Sequence, residues 1–440
     1  MRKAQHPLFL LGLALASAAG AQEPSPAIRL ENLSADQVLA LAGQLIDSGR
    51  YDDALVLLDR LAADRAGGTE RDFLEGMVAL ARKEYARAEA LFRTMLEGDP
   101  NLIRVRLELA RTLFLMKKDE EADYHFKLAI AQHPPEPVVR NIARFREAIR
   151  ARRSWRFNVN FGFAPDTNIN SATDKERIEV LGLPFELDPH SKARSGVGAF
   201  AAADANVRLR RDGSHPIYVG AYGKIVRYGD SRFNDIYVGG EAGPEFRLSG
   251  GRLRATATAL KRWYGGKPLV TSVGGRFNFD KVIKARWGIE ASAGVRRNDY
   301  ARRPDLDGWD FDMIFTANRA LGPSTLGFGW AAMERSIAGD PANSSWQGRI
   351  GAGVLKEIFW GLRPQLSIEL GREVHDRPFA LFGRTRKEWQ TRVTASIYKR
   401  DWNVHGFAPS IRLTYNRNAS TIVLYDQERW RTEFGIAKSF

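Results

Sequence analysis

A chain of 440 residues, 27% charged and 44% apolar, has the means to fold into two or three domains and is not a disordered polymer. It has no cysteine, which excludes disulfides and thiolate chemistry. A formal net charge of +14 would suit nucleic acid, but the arginines recur singly through the second half instead of crowding one helix or tail, so no nucleic-acid partner is expected.

The first residues read as an export signal. Arg2 and Lys3 form a basic start, Leu8 to Ala16 an apolar run, and Ala19-Gly20-Ala21 the small residues that a signal peptidase needs, so residues 1–21 are expected to be removed before Gln22. The apolar run falls short of the ~20 residues that span a bilayer as a helix. With no cysteine after the cut, lipidation there is excluded.

A segment over 22–34 leads into a region that repeats every 34 residues. Ala54, Ala88 and Ala122 hold this interval, as do Leu58, Phe92 and Phe126, and Pro100 with Pro134. Tyr51 and Tyr85 share the slot of Asp119, and Gly76 matches Ala42 and Ala110. That period belongs to tetratricopeptide helix pairs, where small residues let two helices cross and prolines end the second helix. Three copies over 35–134, then a capping helix over 136–152 with Val138, Ile142, Phe145 and Ile149 on one face, predict a helical solenoid domain over 35–152. Such a stack has a concave face suited to a peptide or protein. His125 and His133 read as ordinary surface residues, with no metal spacing around them.

At Trp155 the period drops to two. Trp155, Phe157, Val159, Phe161 and Phe163 alternate with Arg156, Asn158, Asn160 and Gly162, giving one oily and one wet face. The pattern recurs from Ala285 to Arg296 and near Phe311, where Ile314 interrupts it. Strands are expected over 155–163, 194–209, 216–228, 234–248, 251–264, 268–280, 284–296, 308–319, 324–336, 344–356, 361–372, 386–399, 406–417 and 429–440. Fourteen strands, most too long for a soluble sheet, predict an antiparallel outer-membrane β-barrel over 155–440. Closure is forced because an open sheet edge in hydrocarbon leaves backbone groups unpaired. With both barrel ends periplasmic, the longer loops, 164–193 and those near 297–307, 373–385 and 418–428, face outward.

No nucleophile–base arrangement stands out. His190, His215, His375 and His405 are scattered, and the pairs Gly239-Gly240 and Gly274-Gly275 lie in strands instead of before a phosphate-binding helix, so neither an enzyme nor a cofactor is expected. Arg156, Arg208, Arg254, Arg286, Arg296, Arg363, Arg392 and Arg412 fall on the inward face, within reach of Asp204, Glu241, Glu245, Glu290, Asp312 and Glu369. They either brace a hydrated wall or form a basic lining that favours anionic solutes or acidic segments.

The stretch from Phe163 through Asp166, Thr167, Asn168, Asn170 and Ser171 to Thr173 resembles a signature of the surface lipoprotein assembly modifier family, and the order of signal, repeats and barrel around it resembles that family too. The terminal Phe440 is similar to the mark read by barrel-insertion machinery. The resemblance implies a fourteen-stranded outer-membrane translocator with periplasmic repeats. It would help clients such as surface lipoproteins or haem- and iron-related proteins reach the outside. Implied partners are an exported client protein or a periplasmic chaperone, the barrel-assembly machinery during insertion, and outer-membrane lipid around a monomer. The five polar residues after strand one would fix a turn, contact the client or gate passage. A porin for small, possibly anionic, solutes is the competing expectation.

Overall fold

The computed structural model describes residues 33–63, 68–152, 155–180, 182–188, 191–209, 215–248, 251–283, 287–400, 402 and 407–439. The signal, Ala285, Arg286, His190, His405 and Phe440 lie outside the described residues.

Among the described residues seven α-helices come first: α1 (Ala35–Asp47), α2 (Tyr51–Ala63), α3 (Gly68–Ala81), α4 (Tyr85–Gly98), α5 (Ile103–Leu115), α6 (Asp119–Ala131) and α7 (Glu136–Arg152). Ser34 opens α1 with a capping box: its Oγ accepts from the Gln37 amide at 3.3 Å while the Gln37 side chain accepts from the Ser34 amide at 2.9 Å. Tyr51, Tyr85 and Asp119, which share one slot of the repeat, are each the first residue of a helix. Ala54, Ala88 and Ala122 are all 0% exposed, since any larger side chain at the crossing would hold the helices apart. Phe92 and Phe126 fill the groove four residues on and are equally buried. Each pair turns through a left-handed residue, and that position also repeats every 34 residues: Gly49, Lys83 and Lys117. Only the first copy uses the residue that takes this conformation without steric penalty.

The chain divides at Val78–Ala79 into two compact units. In the first, α1 packs on α2 around Val38, Ala42, Leu57 and Leu58. In the second, α4 to α7 stack in sequence around Leu109, Leu113, Phe126 and Ile142, and the barrel follows.

Sixteen strands follow among the described residues. The wall is β1 (Trp155–Asp166), β4 (Gly196–Leu209), β5 (Ile217–Tyr228), β6 (Asp235–Leu248), β7 (Gly251–Tyr264), β8 (Lys267–Ile283) and β9 (Trp287–Tyr300), then β10 (Gly308–Ala320), β11 (Thr325–Ala338), β12 (Ser345–Lys356), β13 (Leu362–Phe379), β14 (Arg384–Lys399), β15 (Ala408–Ser420) and β16 (Gln427–Ser439). Each pairs antiparallel with its neighbours in sequence, and β1 closes the barrel against β16, as the fourteen-strand expectation required. A separate hairpin, β2 (Arg177–Val180) with β3 (Leu183–Glu186), stands in the long loop after β1.

The outward face is oily and bare: Phe163, Met313, Ile350 and Trp389 are each more than 60% exposed, which water would penalise but lipid does not. Charge turns inward, where Glu245, Asp312 and Glu433 are buried. Ile314, the break in the alternation, sits half-buried on that side. Several strands outrun their expected ends. β13 continues to Phe379 and β14 begins at Arg384, so most of the loop expected over 373–385 is a hairpin, with a register shift between Val374 and Pro378. The other two outward loops shrink likewise, because β9 reaches Tyr300 and β15 reaches Ser420.

Candidate functional site

The polar residues after strand one tie the first strand to the last. Among the described residues seven pairs join β1 to β16, against twelve joining β1 to β4. The ladder skips Ala164 and Pro165, and proline has no N–H to give it. Backbones also run close along this seam: a Cβ on Gly162 would meet the Phe434 carbonyl oxygen at 1.9 Å.

Side chains take over where the ladder lapses. Asp166 is fully buried and accepts from Arg429 Nε at 3.0 Å and from the Tyr228 hydroxyl at 3.3 Å. Thr167 and Trp430 exchange two bonds, Thr167 N–H to the Trp430 carbonyl and Trp430 N–H to Thr167 Oγ1, both 2.9 Å. Asn168, 1% exposed, donates to the carbonyls of Ala172 and Glu428 and accepts from the Ala172 amide. Asn170 holds the returning limb of the loop, donating to the Lys192 carbonyl at 2.7 Å and accepting from the Arg194 amide at 3.0 Å. Ser171, at a positive φ of 51°, accepts from Arg429 Nη1 at 3.1 Å. Ile169 packs with Ala164, Phe200, Val226 and Tyr228 on the inward side, so the loop folds over the lumen instead of standing away from it. The sequence-chosen residues therefore form one clasp. Its other half, Arg429 and Trp430 from β16 and Tyr228 from β5, lies far from the motif in sequence, and nothing beside the motif marks those residues.

At the opposite end, α6 and α7 join the barrel wall in lining a chamber of about 1360 Å³. Asp119, Glu120 and Glu121 face it from α6; Arg156, Arg208, Arg363 and Arg412 face it from the wall. Arg156 approaches Glu120 at 3.8 Å, and the Arg363 guanidinium lies 4.6 Å above the Tyr124 ring. Burial would raise the Asp123 carboxyl, but Arg146 at 2.6 Å and Lys127 at 2.9 Å overcome it and hold the group down at about 2. The same face therefore carries fixed charge of both signs.

The remaining inward arginines are not gathered with these four. Arg208 also bonds Glu245 at 3.1 Å and Arg412 meets Glu433 at 3.5 Å. Arg254 lies 4.6 Å over the Tyr218 ring. Arg296 joins Asp310, Asp312 and Glu334, while Arg392 pairs with Glu369 at 3.0 Å. Of the acidic partners foreseen for them, Asp204 instead accepts from Asn158 and Glu241 from Thr256. His125 corrects the surface expectation. It is 2% exposed, wedged between Arg106 and the barrel-side turn, because the stack packs on the face that His125 occupies. His133 is exposed as expected. Among the described residues no group of three acidic or histidine side chains is placed to hold a metal.

A closed barrel with lipid-facing aromatics, charge inside and helical repeats at its N-terminal end defines an outer-membrane protein with a periplasmic repeat domain. Residues 155–440 match the surface lipoprotein assembly modifier family and 79–144 the tetratricopeptide repeat family. The chain belongs to the surface lipoprotein assembly modifier family, and so to a class of outer-membrane assembly factors, not of enzymes. It is 23% identical to the surface lipoprotein assembly modifier of Moraxella catarrhalis, over 91% of this chain and 81% of that one. It is 24% identical to surface lipoprotein assembly modifier 1 of Neisseria meningitidis serogroup B (84% and 75%) and 22% identical to the hemophilin secretion modulator of Acinetobacter baumannii (84% and 78%).

Proposed function

We propose that this protein is a translocator that carries a specific client, a surface lipoprotein or a secreted haem- or iron-related protein, across or into the outer membrane. The repeats engage the client or its chaperone, and the β1–β16 seam opens to let it pass. The observation behind this reading is the clasp: Asp166, Thr167 and Asn168 hold together by side-chain bonds the seam that has the fewest paired positions among the described residues. A wall meant never to open is more simply closed by a longer ladder, which every other pair of strands in this barrel has. The names of the relatives support both client classes, and the chamber, lined by more basic than acidic side chains, favours the second reading, a pore for small anionic solutes. Insertion by the barrel-assembly machinery and a monomer in lipid fit this reading.

The chain has no native cysteine, so the seam can be locked cleanly. Phe161 and Ile436 face each other across it, and paired antiparallel positions fall within disulfide reach. Phe161→Cys with Ile436→Cys, expressed in a deletion strain and oxidised, should abolish surface display of the client found by surface proteomics, and reductant should restore it. Undiminished display from the locked barrel would end the seam proposal. Normal display in the deletion strain, with only solute flux changed, would favour the pore.

A further inference from the structure

A second, smaller cavity, of about 70 Å³, lies where α4, α5 and α6 meet the turn after β12, bounded by Arg93, Arg106, His125, Glu357, Ile358 and Arg400. A water needs roughly 10–15 Å³ on such a scale, so there is room for several waters or one small oxyanion.

The hydrogen-bond pattern favours the oxyanion. Arg106, 2% exposed, donates through Nη2 to the Pro100 carbonyl at 2.9 Å and through Nη1 to His125 Nδ1 at 3.3 Å. Arginine can only donate, so His125 Nδ1 accepts and the imidazole proton sits on Nε2. That Nε2–H finds no acceptor among the described residues, and neither do Arg106 Nε and Arg93 Nη1. Three buried donors, on three side chains lining one cavity, meet no acceptor among the described residues, and a buried donor left unpaired is costly. The other bonds of Arg93 go to Glu89 and Glu121, whereas Arg106 has no carboxylate partner among the described residues. Two carboxylates line the cavity: that of Glu97, an exposed residue at its edge, and that of Glu357, which is engaged by Arg400 and, at 3.6 Å, by Arg363. Burial, reinforced by the surrounding arginines, pushes His125 well below its ordinary range, so it offers a neutral N–H.

We infer that this cavity is an oxyanion site, taking a carboxylate or phosphate whose oxygens accept from Arg106 Nε, His125 Nε2 and Arg93 Nη1. The oxygens come either from a free anion, which would rivet the last repeats to the β12–β13 turn, or from an acidic side chain of a peptide entering the repeat face. The inference stands apart from the translocator reading and would survive its failure.

Calorimetric titration of the purified full chain in detergent tests it, with phosphate, acetate and a capped tetra-glutamate peptide each added at matched chloride ionic strength. Saturable binding is expected, weakened about tenfold or more in Arg106→Met through loss of one charge-assisted bond and unchanged in Arg50→Ala, whose exposed side chain serves as the control. Binding of phosphate or acetate alone identifies a small-anion rivet; binding of the peptide, displaced by phosphate, identifies a groove for acidic segments. No saturable binding above chloride by any of the three overturns the inference, as does wild-type affinity in Arg106→Met. If Arg106→Met fails to fold, His125→Leu takes its place, and the wild-type titration alone can still overturn the inference.

Discussion

Phe126 and Phe163 are the same side chain under opposite rules. The first, in α6, is 2% exposed and stacks on Phe145 at 5.3 Å; the second, in β1, is 64% exposed and touches little. The repeats hide apolar surface from water by turning it toward one another, whereas the barrel keeps its apolar surface outside and hydrates the middle. One chain therefore contains two solutions to the same hydrophobic problem, set by two different solvents.

The largest effects should come from forcing each region to obey the other's rule. Phe126→Ala is expected to destabilise the repeat stack by about 3–5 kcal/mol, and Phe163→Ala to leave it unchanged. Ile350→Arg, on the lipid face, should cost the barrel roughly 2–4 kcal/mol and spare the stack. Limited proteolysis of the helices, beside the heat-dependent gel shift of the barrel, separates the two; a gel shift altered as much by Phe126→Ala as by Ile350→Arg would erase the contrast.

A smaller effect tests whether charge inside the wet regions stabilises them. Asp123 is held at about 2 by Arg146 and Lys127, below the 3.8 of a free carboxyl. A depressed carboxyl contributes stability that is fully present above its unfolded value and lost as pH falls through its folded one. The α6–α7 junction should therefore lose about 2 kcal/mol between roughly pH 4 and pH 2. Thermal melts across that window should show the loss, and Asp123→Asn should flatten it. The smallest effect is local. Lys83→Gly and Lys117→Gly, matching Gly49, should each stabilise the repeats by about 1 kcal/mol, read from the same melts.

The barrel was legible wherever one face meets lipid and the other water, because alternation such as Trp155 to Phe163 follows from that contrast alone. At the rims both faces are wet, the alternation fades, and so β1 runs on through Pro165 and β13 through Pro378 unannounced. Asp166 to Ser171 stood out as polar residues with capping chemistry, but their partners across the seam come from more than 250 residues away, and nothing local in sequence announces them. His125 could have been found. It occupies the repeat slot of Leu57, which is 5% exposed, and of Leu91; a polar residue in an apolar slot is a visible departure from the period.

Helix α6 faces two ways. Glu120 and Glu121 look into the large chamber, while His125, one turn further on, closes the small cavity. The two spaces are therefore lined by one packed helix of thirteen residues, so a displacement of that helix would change both together. If an occupant of one space displaces that helix, thermodynamic reciprocity requires that an occupant of the other feel the same factor in return.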